Sequence, residues 1–228
     1  MKRLITPMLF SLIALLCFSC GNVQKLGGYR INEKDATSAI RQLLEIGAKS
    51  NELSSAYSKE AVMSAIFPEP VKKVINTVQQ LGLSNQIDRF TTTLSTASQK
   101  SATASVPIFV DAINHIKFND AIYIIKNGGT SATDYLRSVA GDSLRHAITP
   151  IMQNAINEYH LNEQWNDIIK PAKVVAGNKL NLDLANIMAG VVSESMFQKM
   201  AEKEKEVRSN ASARTTPLLQ KVFSISYQ

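Results

Sequence analysis

The sequence predicts an all-α protein, a single compact domain of roughly eight helices after a signal peptide and a short tether. Three observations favour this class. Apolar residues recur at the three- and four-residue spacing of a helix face, strand-like alternation is missing over any useful length, and glycine or proline interrupts the pattern at intervals. A chain of 228 residues is long enough to bury most of its apolar surface in one core.

The N-terminus carries the features of an export signal. Lys2 and Arg3 precede an apolar run over residues 8–18, about the length of a secretory core and too short to span a bilayer comfortably. Ser19 then precedes Cys20, and the segment resembles a bacterial lipoprotein signal, in which the cysteine thiol receives a diacylglyceryl group before cleavage. An ordinary cleaved signal peptide and a retained single-span anchor are the alternatives.

The export signal divides the chain into three predicted parts. They are a signal peptide (1–19), the lipidated Cys20 with a tether (20–34) and an all-helical domain (35–228). Both cysteines, Cys17 and Cys20, lie before the domain, which therefore forms no disulfide and depends on its core.

The charge of the predicted mature chain is mild. Cleavage before Cys20 removes Lys2 and Arg3 and lowers the formal net charge from +6 to +4. This charge suits a position beside anionic headgroups and is too small for a nucleic-acid partner. We expect the cell envelope, with the lipid anchor in the outer membrane and the domain facing the periplasm, although the sequence leaves the choice of membrane open.

The first two predicted helices lie on either side of a proline pair. Asp35 is a plausible N-cap, and the apolar face that follows contains Ala36, Ala39, Ile40, Leu43, Leu44 and Gly47. Pro68 and Pro70 end this segment, because proline disfavours helical conformation in the residue before it. A second helix is predicted from Pro70 to Leu81, with Gly82 as its C′ residue.

A third helix begins after Ser84 and has an unusual continuation. Nine of the fifteen residues from Thr91 to Ser105 are Ser or Thr, whose hydroxyls compete for backbone hydrogen bonds. We interpret this stretch as a closely packed helix with small residues against its neighbours. The alternative is a polar groove lined by hydroxyl groups.

Proline and glycine predict the next boundaries. Pro107 opens or kinks a helix, and Asp120 caps a short one that glycines close at residues 128–129. Thr130 caps another helix. A separate helix is predicted to start near Asp142 or Ser143 and to be kinked at Pro150.

The C-terminal part predicts a short segment and two further helices. Trp165 marks a short segment that ends before Pro171. A long helix is expected from about Asp183 to Arg208, and a final short helix after Pro217 is expected to dock on the core, with partner binding as the alternative.

Ten sequence blocks together carry a family resemblance. They are Phe67-Pro68-Glu69, Leu81-Gly82-Leu83, Pro107-Ile108-Phe109, Asp111-Ala112-Ile113, Asp120-Ala121, Asn127-Gly128-Gly129, Ala132-Thr133-Asp134-Tyr135, Met196-Phe197, Ala201–Lys205 with Arg208, and Leu218–Phe223. In their order and spacing over about residues 36–225, they resemble the bacterial secreted and lipid-anchored family called domain of unknown function 4197.

The resemblance implies an all-helical envelope protein and brings no established activity. At residues 95–99 the chain has Ser-Thr-Ala-Ser-Gln where the family typically shows an Asn-Arg-Ala-Ala-Glu-like run. This chain therefore lacks the charged pair, Arg and Glu, of that run. A function or salt bridge of the pair in relatives does not carry over to this chain.

The best-defined candidate site lies on both sides of the glycine turn at residues 127–129. Its residues are Asp120, Thr133, Asp134, Tyr135 and Arg137. A helix end and a helix start bring polar groups together there, which is a geometry able to bind a small anion or polar ligand. The alternative, which we favour, is a set of helix caps that fix the turn, each worth about 1 kcal/mol.

Other chemical groups form no recognisable pattern. His115, His146 and His160 are scattered, so we predict no metal site and no cofactor. The charged run Glu202, Lys203, Glu204, Lys205, Glu206 and Arg208 is interpreted as a solvated helix face. A general acid–base role for Glu202 and Glu206 is the alternative.

These observations favour a non-catalytic, lipid-anchored helical module that binds an envelope partner or a small ligand. Its partners would be the membrane, through the anchor, and an envelope protein or small molecule, without nucleic acid. One alternative is a hydrolase-like enzyme with a dispersed site. Another is a carrier of an apolar ligand between helices, suggested by Met188, Met196 and Met200, although such methionines are more often core residues.

Overall fold

The computed structural model describes residues 30–50, 84–176 and 183–224, together with single positions at 57, 72, 75, 76, 79, 80 and 82. Its seven α-helices are α1 (Glu33–Ala48), α2 (Ser84–His115), α3 (Ala121–Asn127), α4 (Ser131–Glu158), α5 (Leu161–Ala176), α6 (Leu184–Ser209) and α7 (Pro217–Phe223). A 3₁₀ turn (Ala211–Ala213) joins α6 to α7. No strand occurs in these ranges, so the predicted all-α class is confirmed.

The predicted signal peptide, Cys20 and most of the tether lie outside the described residues. Of the predicted second helix, five positions are described, and all are helical: Lys72, Ile75, Asn76, Gln79 and Gln80. Among the helices that the structure describes, none is long and apolar enough to cross a membrane.

Helix α1 begins earlier than predicted. Its N-cap is Asn32, whose Oδ1 accepts a hydrogen bond from the backbone N–H of Asp35 at 2.9 Å, and Asp35 itself lies in the first turn. The prediction of Asp35 as N-cap is therefore wrong, because an asparagine three residues upstream satisfies the free N–H groups equally well. The predicted apolar face of α1 is buried as expected.

Some predicted boundaries are absent because the helices continue through them. The start predicted near Asp142 or Ser143 lies inside α4, and Pro107, predicted to open or kink a helix, lies inside α2. Pro171 likewise lies inside α5. A proline removes only one backbone hydrogen bond, so a helix can continue through it where the rest of the helix is stabilised by packing. Proline marked the start of α7 at Pro217 but did not end α2 or α5.

The Ser- and Thr-rich stretch of α2 is closely packed. Thr91, Ser98 and Ser105 are buried, and each hydroxyl donates to the carbonyl four residues earlier, at 2.7–2.8 Å. These three hydroxyls are satisfied within their own helix, whereas the buried Ser101 hydroxyl has no hydrogen-bond partner among the described residues. The packing interpretation fits this arrangement.

Helix α6 is the central element of the core. It contacts α4 most extensively and also packs on α1, α2 and α7. Its buried stripe includes Met188, Met196 and Met200, whose exposure is 2% or less. Phe197 on the same stripe meets Phe109 of α2 edge-on, with ring centroids 5.2 Å apart.

Helices α1 and α6 cross at a very short distance. A Cβ atom at Gly47 would lie 2.9 Å from the Cα of Met200, closer than real side chains approach a backbone atom. Glycine is therefore required at this crossing. Helix α7 docks on the same core, as predicted, with Leu219, Val222 and Phe223 buried.

Tyr57 is a fully buried aromatic residue at the edge of this core. Its hydroxyl donates to the carbonyl of Val192 at 3.3 Å, and its own carbonyl accepts a hydrogen bond from Ser95. Burial raises the pKa of the Tyr57 phenol well above its usual range. The folded protein therefore retains this proton at a pH at which the unfolded chain loses it.

Tyr57 is expected to make the fold sensitive to alkali. Stability from this group is fully present below about pH 10, the usual tyrosine pKa, and is lost as the pH rises above it, since the unfolded state then binds fewer protons. The free energy of unfolding, measured by urea denaturation between pH 8 and pH 12, should fall less steeply for Tyr57→Phe than for wild type. Tyr123→Phe, at a residue 62% exposed, should follow wild type. Identical slopes for both variants would contradict this role.

Candidate functional site

The N-terminus of α4 is capped by a carboxylate from another helix. The N-cap residue Thr130 makes no side-chain cap hydrogen bond to the helix. Instead, Glu204 of α6 accepts hydrogen bonds from the backbone N–H groups of Ala132 (3.0 Å) and Thr133 (2.8 Å) and from the Thr133 hydroxyl (2.7 Å). A negative charge at this position also complements the helix dipole.

Arg208 completes this buried network. Its guanidinium donates to Glu204 Oε1 at 2.8–2.9 Å, one turn earlier on α6, and to the carbonyls of Ile125 (2.8 Å) and Ile124 (3.3 Å) at the end of α3. It also lies over the ring of Phe223, 5.1 Å from the centroid. The pair therefore connects α6 to the end of α3, the start of α4 and the side of α7.

The interpretation of residues 202–208 as a solvated face is wrong for these two residues. Glu204 is only 1% exposed, and the Arg208 side chain is 12% exposed. The sequence did contain a signal, because Glu204 lies four residues after Met200 and eight after Met196, on the same buried stripe. A charged residue on an apolar stripe indicates a buried pair, whereas we read it as part of the charged run.

The exposed carboxylates of that run behave differently. Glu202 accepts a hydrogen bond from Lys199 at 2.8 Å, and this bond lowers the pKa of the Glu202 carboxyl. Lys203 pairs with Glu206 at 2.7 Å. A lowered pKa makes Glu202 a poorer general acid, because its carboxyl releases its proton more readily and holds less of it near neutral pH.

The five predicted site residues do not converge on one point. Asp120 caps α3, accepting from the Tyr123 N–H at 3.0 Å with its own φ at 54°, and Asp134 accepts from the Thr130 hydroxyl at 2.7 Å. Thr133 is buried against Glu204. Each of these three side chains is engaged in a local or inter-helix hydrogen bond.

Tyr135 closes the turn between α2 and α3. Its hydroxyl donates to the carbonyl of Lys117 at 2.9 Å and accepts from the N–H of Asn119 at 3.3 Å. Its ring lies 5.6 Å from that of Phe118, over which the Arg41 guanidinium is placed at 5.7 Å. This arrangement fixes a connecting segment that has no regular structure of its own.

Arg137, the fifth predicted residue, lies elsewhere, in a groove between α4 and α6. The groove has a volume of about 420 Å³ and an open mouth. Its lining consists of Arg137, Ser138, Val139, Gly141, Asp142, Ser143, Arg145, Gly190, Ser193, Glu194 and Phe197. We call it the two-arginine groove, because Arg137 and Arg145 are the cationic residues that line it.

The two helices run antiparallel along this groove. Thr133 meets Glu204 at one end, Arg137 lies over Phe197 in the middle, and Arg145 lies beside Gly190 further along. The Arg137 guanidinium is 5.2 Å from the Phe197 ring centroid and 3.0 Å from Glu194. The nearest carboxylate to Arg145 is Asp142, at 3.8 Å, which is beyond hydrogen-bond distance.

Two glycines create the space in the groove. A Cβ at Gly141 would lie 3.7 Å from the nearest atom, Cγ of Arg137, and one at Gly190 would lie 3.7 Å from Cδ of Arg145. Alanine therefore fits at both positions, in contrast to Gly47. Because glycine inside a helix costs about 0.5–1 kcal/mol relative to alanine, these two residues lower the stability of α4 and α6 without relieving a clash.

Metal ligation has no geometric support in the part of the chain that the structure describes. No group of three or more His, Cys, Asp or Glu residues is placed to hold an ion there. His115 lies beside Asp111 at 3.2 Å and His160 beside Glu163 at 4.0 Å, and all four side chains are exposed.

One comparison with known proteins gives a match. The model of the family described as "Protein of unknown function (DUF4197)" matches residues 30–224. No curated protein and no solved structure matches the chain.

The buried network predicts that the protein loses stability when either Glu204 or its partner Thr133 is changed. Glu204→Gln leaves the Arg208 charge without its ion-pair partner and should lower the free energy of unfolding by about 3 kcal/mol. Thr133→Val removes one hydroxyl donor and should cost about 1–2 kcal/mol. The measurement is chemical denaturation at pH 7.

Glu202→Gln is the matched control, since it makes the same chemical change two residues away on the exposed side. It should change stability by less than about 0.5 kcal/mol. If Glu204→Gln cost no more than Glu202→Gln, the Glu204–Arg208 pair would not hold the helices together.

Proposed function

This chain belongs to the DUF4197 family of unknown function, and we propose that its helical domain is a non-catalytic binding module held at the cell envelope by a lipid on Cys20. In this proposal the anchor lies in the outer membrane, the domain faces the periplasm, and the ligand occupies the two-arginine groove. The observation that carries the proposal is the groove itself, an opening between two helices that are otherwise joined tightly.

The groove has the properties of a binding site for a small molecule. Its volume of about 420 Å³ lies within the range of small-molecule sites. Val139 at the groove is 50% exposed and the Phe197 ring is buried. The lining therefore combines apolar surface with serine hydroxyls, two cations and the carboxylates of Asp142 and Glu194. Such a mixture supplies both contact area and directed hydrogen bonds.

Binding fits this lining better than catalysis. Arginine stays protonated in proteins and so neither accepts nor delivers a proton. The residues described around the groove include no histidine to activate a serine and no cysteine nucleophile. The groups present are suited to holding an anion or a polar molecule in place.

The anchor is supported by the sequence. An apolar stretch, a small residue and Cys20 follow one another in the order of a lipoprotein signal, and α1 begins at Glu33, shortly after the lipid attachment site. Two or more acyl chains give firm membrane attachment, at about 0.8 kcal/mol per buried CH₂. The domain would then lie close to the membrane surface.

The lipid anchor predicts different results for the two cysteines. Cys20→Ala should release the protein into the soluble fraction or leave it unprocessed, because the acceptor thiol is lost. Cys17→Ala, three residues earlier, should still reach the membrane with the mass of the lipidated, cleaved chain. Fractionation and intact-mass measurement test this. Membrane association and mass of Cys20→Ala equal to those of wild type would disprove the anchor.

The groove predicts a bound species that depends on Gly190. Protein extracted from its own membranes should carry a small-molecule mass by native mass spectrometry. Gly190→Leu should lack this mass, because its Cβ already reaches contact distance from Arg145 and the rest of the side chain fills the groove. Tyr123→Ala, on the exposed side of α3, should retain it.

Two results would overturn the binding role of the groove. One is the absence of any bound species on the wild-type protein. The other is an unchanged species on Gly190→Leu when melting curves show that this variant is folded.

A further inference from the structure

We propose that the two-arginine groove binds a small oxyanion, the carboxylate or phosphate group of a soluble molecule, between Arg137 and Arg145. This inference rests on the proposed function and names the class of ligand. It follows from the spacing of the arginines, their unused donors and the glycines that keep the space between them open.

The arginines and one glycine form a stripe on α4. Arg137, Gly141 and Arg145 are four residues apart in turn, so the three lie along one face of the helix, with the glycine between the two cations. The missing side chain at Gly141 leaves space on this face between the positions of the two arginines, both of which line the groove. An anion in the groove would then lie near one cation or between both.

Both guanidiniums have unused hydrogen-bond donors. The Nε of Arg137 and that of Arg145 are buried and have no hydrogen-bond partner among the described residues. The two side chains are 39% and 42% exposed, so each arginine can be reached from solution although its Nε is covered. Guanidinium groups with free N–H donors match carboxylate and phosphate oxygens in pairs.

The nearby carboxylates leave Arg145 available. Asp142 is 93% exposed and lies 3.8 Å from Arg145, so this ion pair is loose and hydrated. Glu194 engages Arg137 at 3.0 Å and is 64% exposed. An entering oxyanion would therefore gain most from Arg145, while Arg137 is held in position by Glu194 and the Phe197 ring.

The glycines indicate that the space itself is needed. Gly47 is explained by the approach of Met200, but Gly141 and Gly190 would each accept a Cβ at ordinary contact distance. Both open into the groove, on facing helices. Glycine at two helix-interior sites where alanine fits, and would stabilise the helix, is explained by an occupant that uses the volume.

Titration calorimetry of the full-length protein in detergent tests the proposal. The probes are succinate and inorganic phosphate at constant ionic strength, with the uncharged succinamide as control. At least one anion should bind saturably and succinamide should not. Arg145→Gln should weaken binding about tenfold or more, and Arg145→Lys less, because it retains charge without the paired donors. Lys126→Gln, an exposed cation on α3, should leave affinity unchanged.

A double variant separates binding from stability. Gly141→Ala with Gly190→Ala should melt at the same temperature as wild type or higher, yet lose at least about tenfold in anion affinity, since two methyl groups occupy the groove. Thr103→Ala, at an exposed position of α2, is the control for added helix propensity and should bind normally. A loss of affinity together with a lower melting temperature in the glycine variant would count against the proposal.

Three outcomes would overturn the oxyanion assignment. They are no binding of either anion to wild type, equal affinity for Arg145→Gln, and binding only to vesicles containing phosphatidylglycerol, which would indicate a lipid surface instead of a soluble anion. If neither anion binds but Gly190→Leu loses the small-molecule mass that wild type carries, the groove remains a binding site for another class of ligand. If neither anion binds and the mass spectra show no species that depends on Gly190, the proposed function fails as well.

Discussion

The fold depends above all on one buried ion pair. Glu204 and Arg208 lie one turn apart on α6, and between them they satisfy the first N–H groups of α4 and the last carbonyls of α3. A buried charge is costly unless it is paired and hydrogen-bonded, and here the two groups bond to each other and to backbone groups of α3 and α4. The pair therefore fixes the relative positions of three helices at once, which apolar contacts alone, being non-directional, would not specify.

Charged side chains from distant helices cap several helix ends in the same way. Glu33 of α1 accepts hydrogen bonds from the N–H groups of Ala121 and Ile122 at the start of α3, and Arg41 donates to the carbonyls of Ile113 and Ile116 at the end of α2. Carboxylates meet N-termini and guanidiniums meet C-termini, as the helix dipole requires. Each contact also joins two helices, so the caps that complete local structure are part of the tertiary structure.

The sequence was sufficient for the fold class and for most helices, because apolar spacing along α1, α6 and α7 matches what the core buries. It was insufficient where tertiary packing overrides a local signal. A helix start was predicted near Asp142 or Ser143 and a start or kink at Pro107, yet α4 and α2 continue through these positions.

The candidate site was predicted only in part. Glu204 could not be recognised as a cap, because the residues that it caps lie about 70 positions away in the chain. The predicted site did include Arg137, but it grouped this residue with the glycine turn, whereas Arg137 lies in the groove between α4 and α6. The groove exists only where α4 and α6 come together, and no spacing within either helix reveals a partner on the other.

The antiparallel arrangement of α4 and α6 has a mechanical consequence. Thr133 and Glu204 join the two helices by hydrogen bonds at one end, and Arg137 is held nearby between Glu194 and the Phe197 ring. Arg145 lies further along the groove beside Gly190, and its nearest carboxylate is beyond hydrogen-bond distance. A change of occupant would therefore be met by a change in the Arg145 rotamer, while the Arg137 end of the groove keeps its geometry.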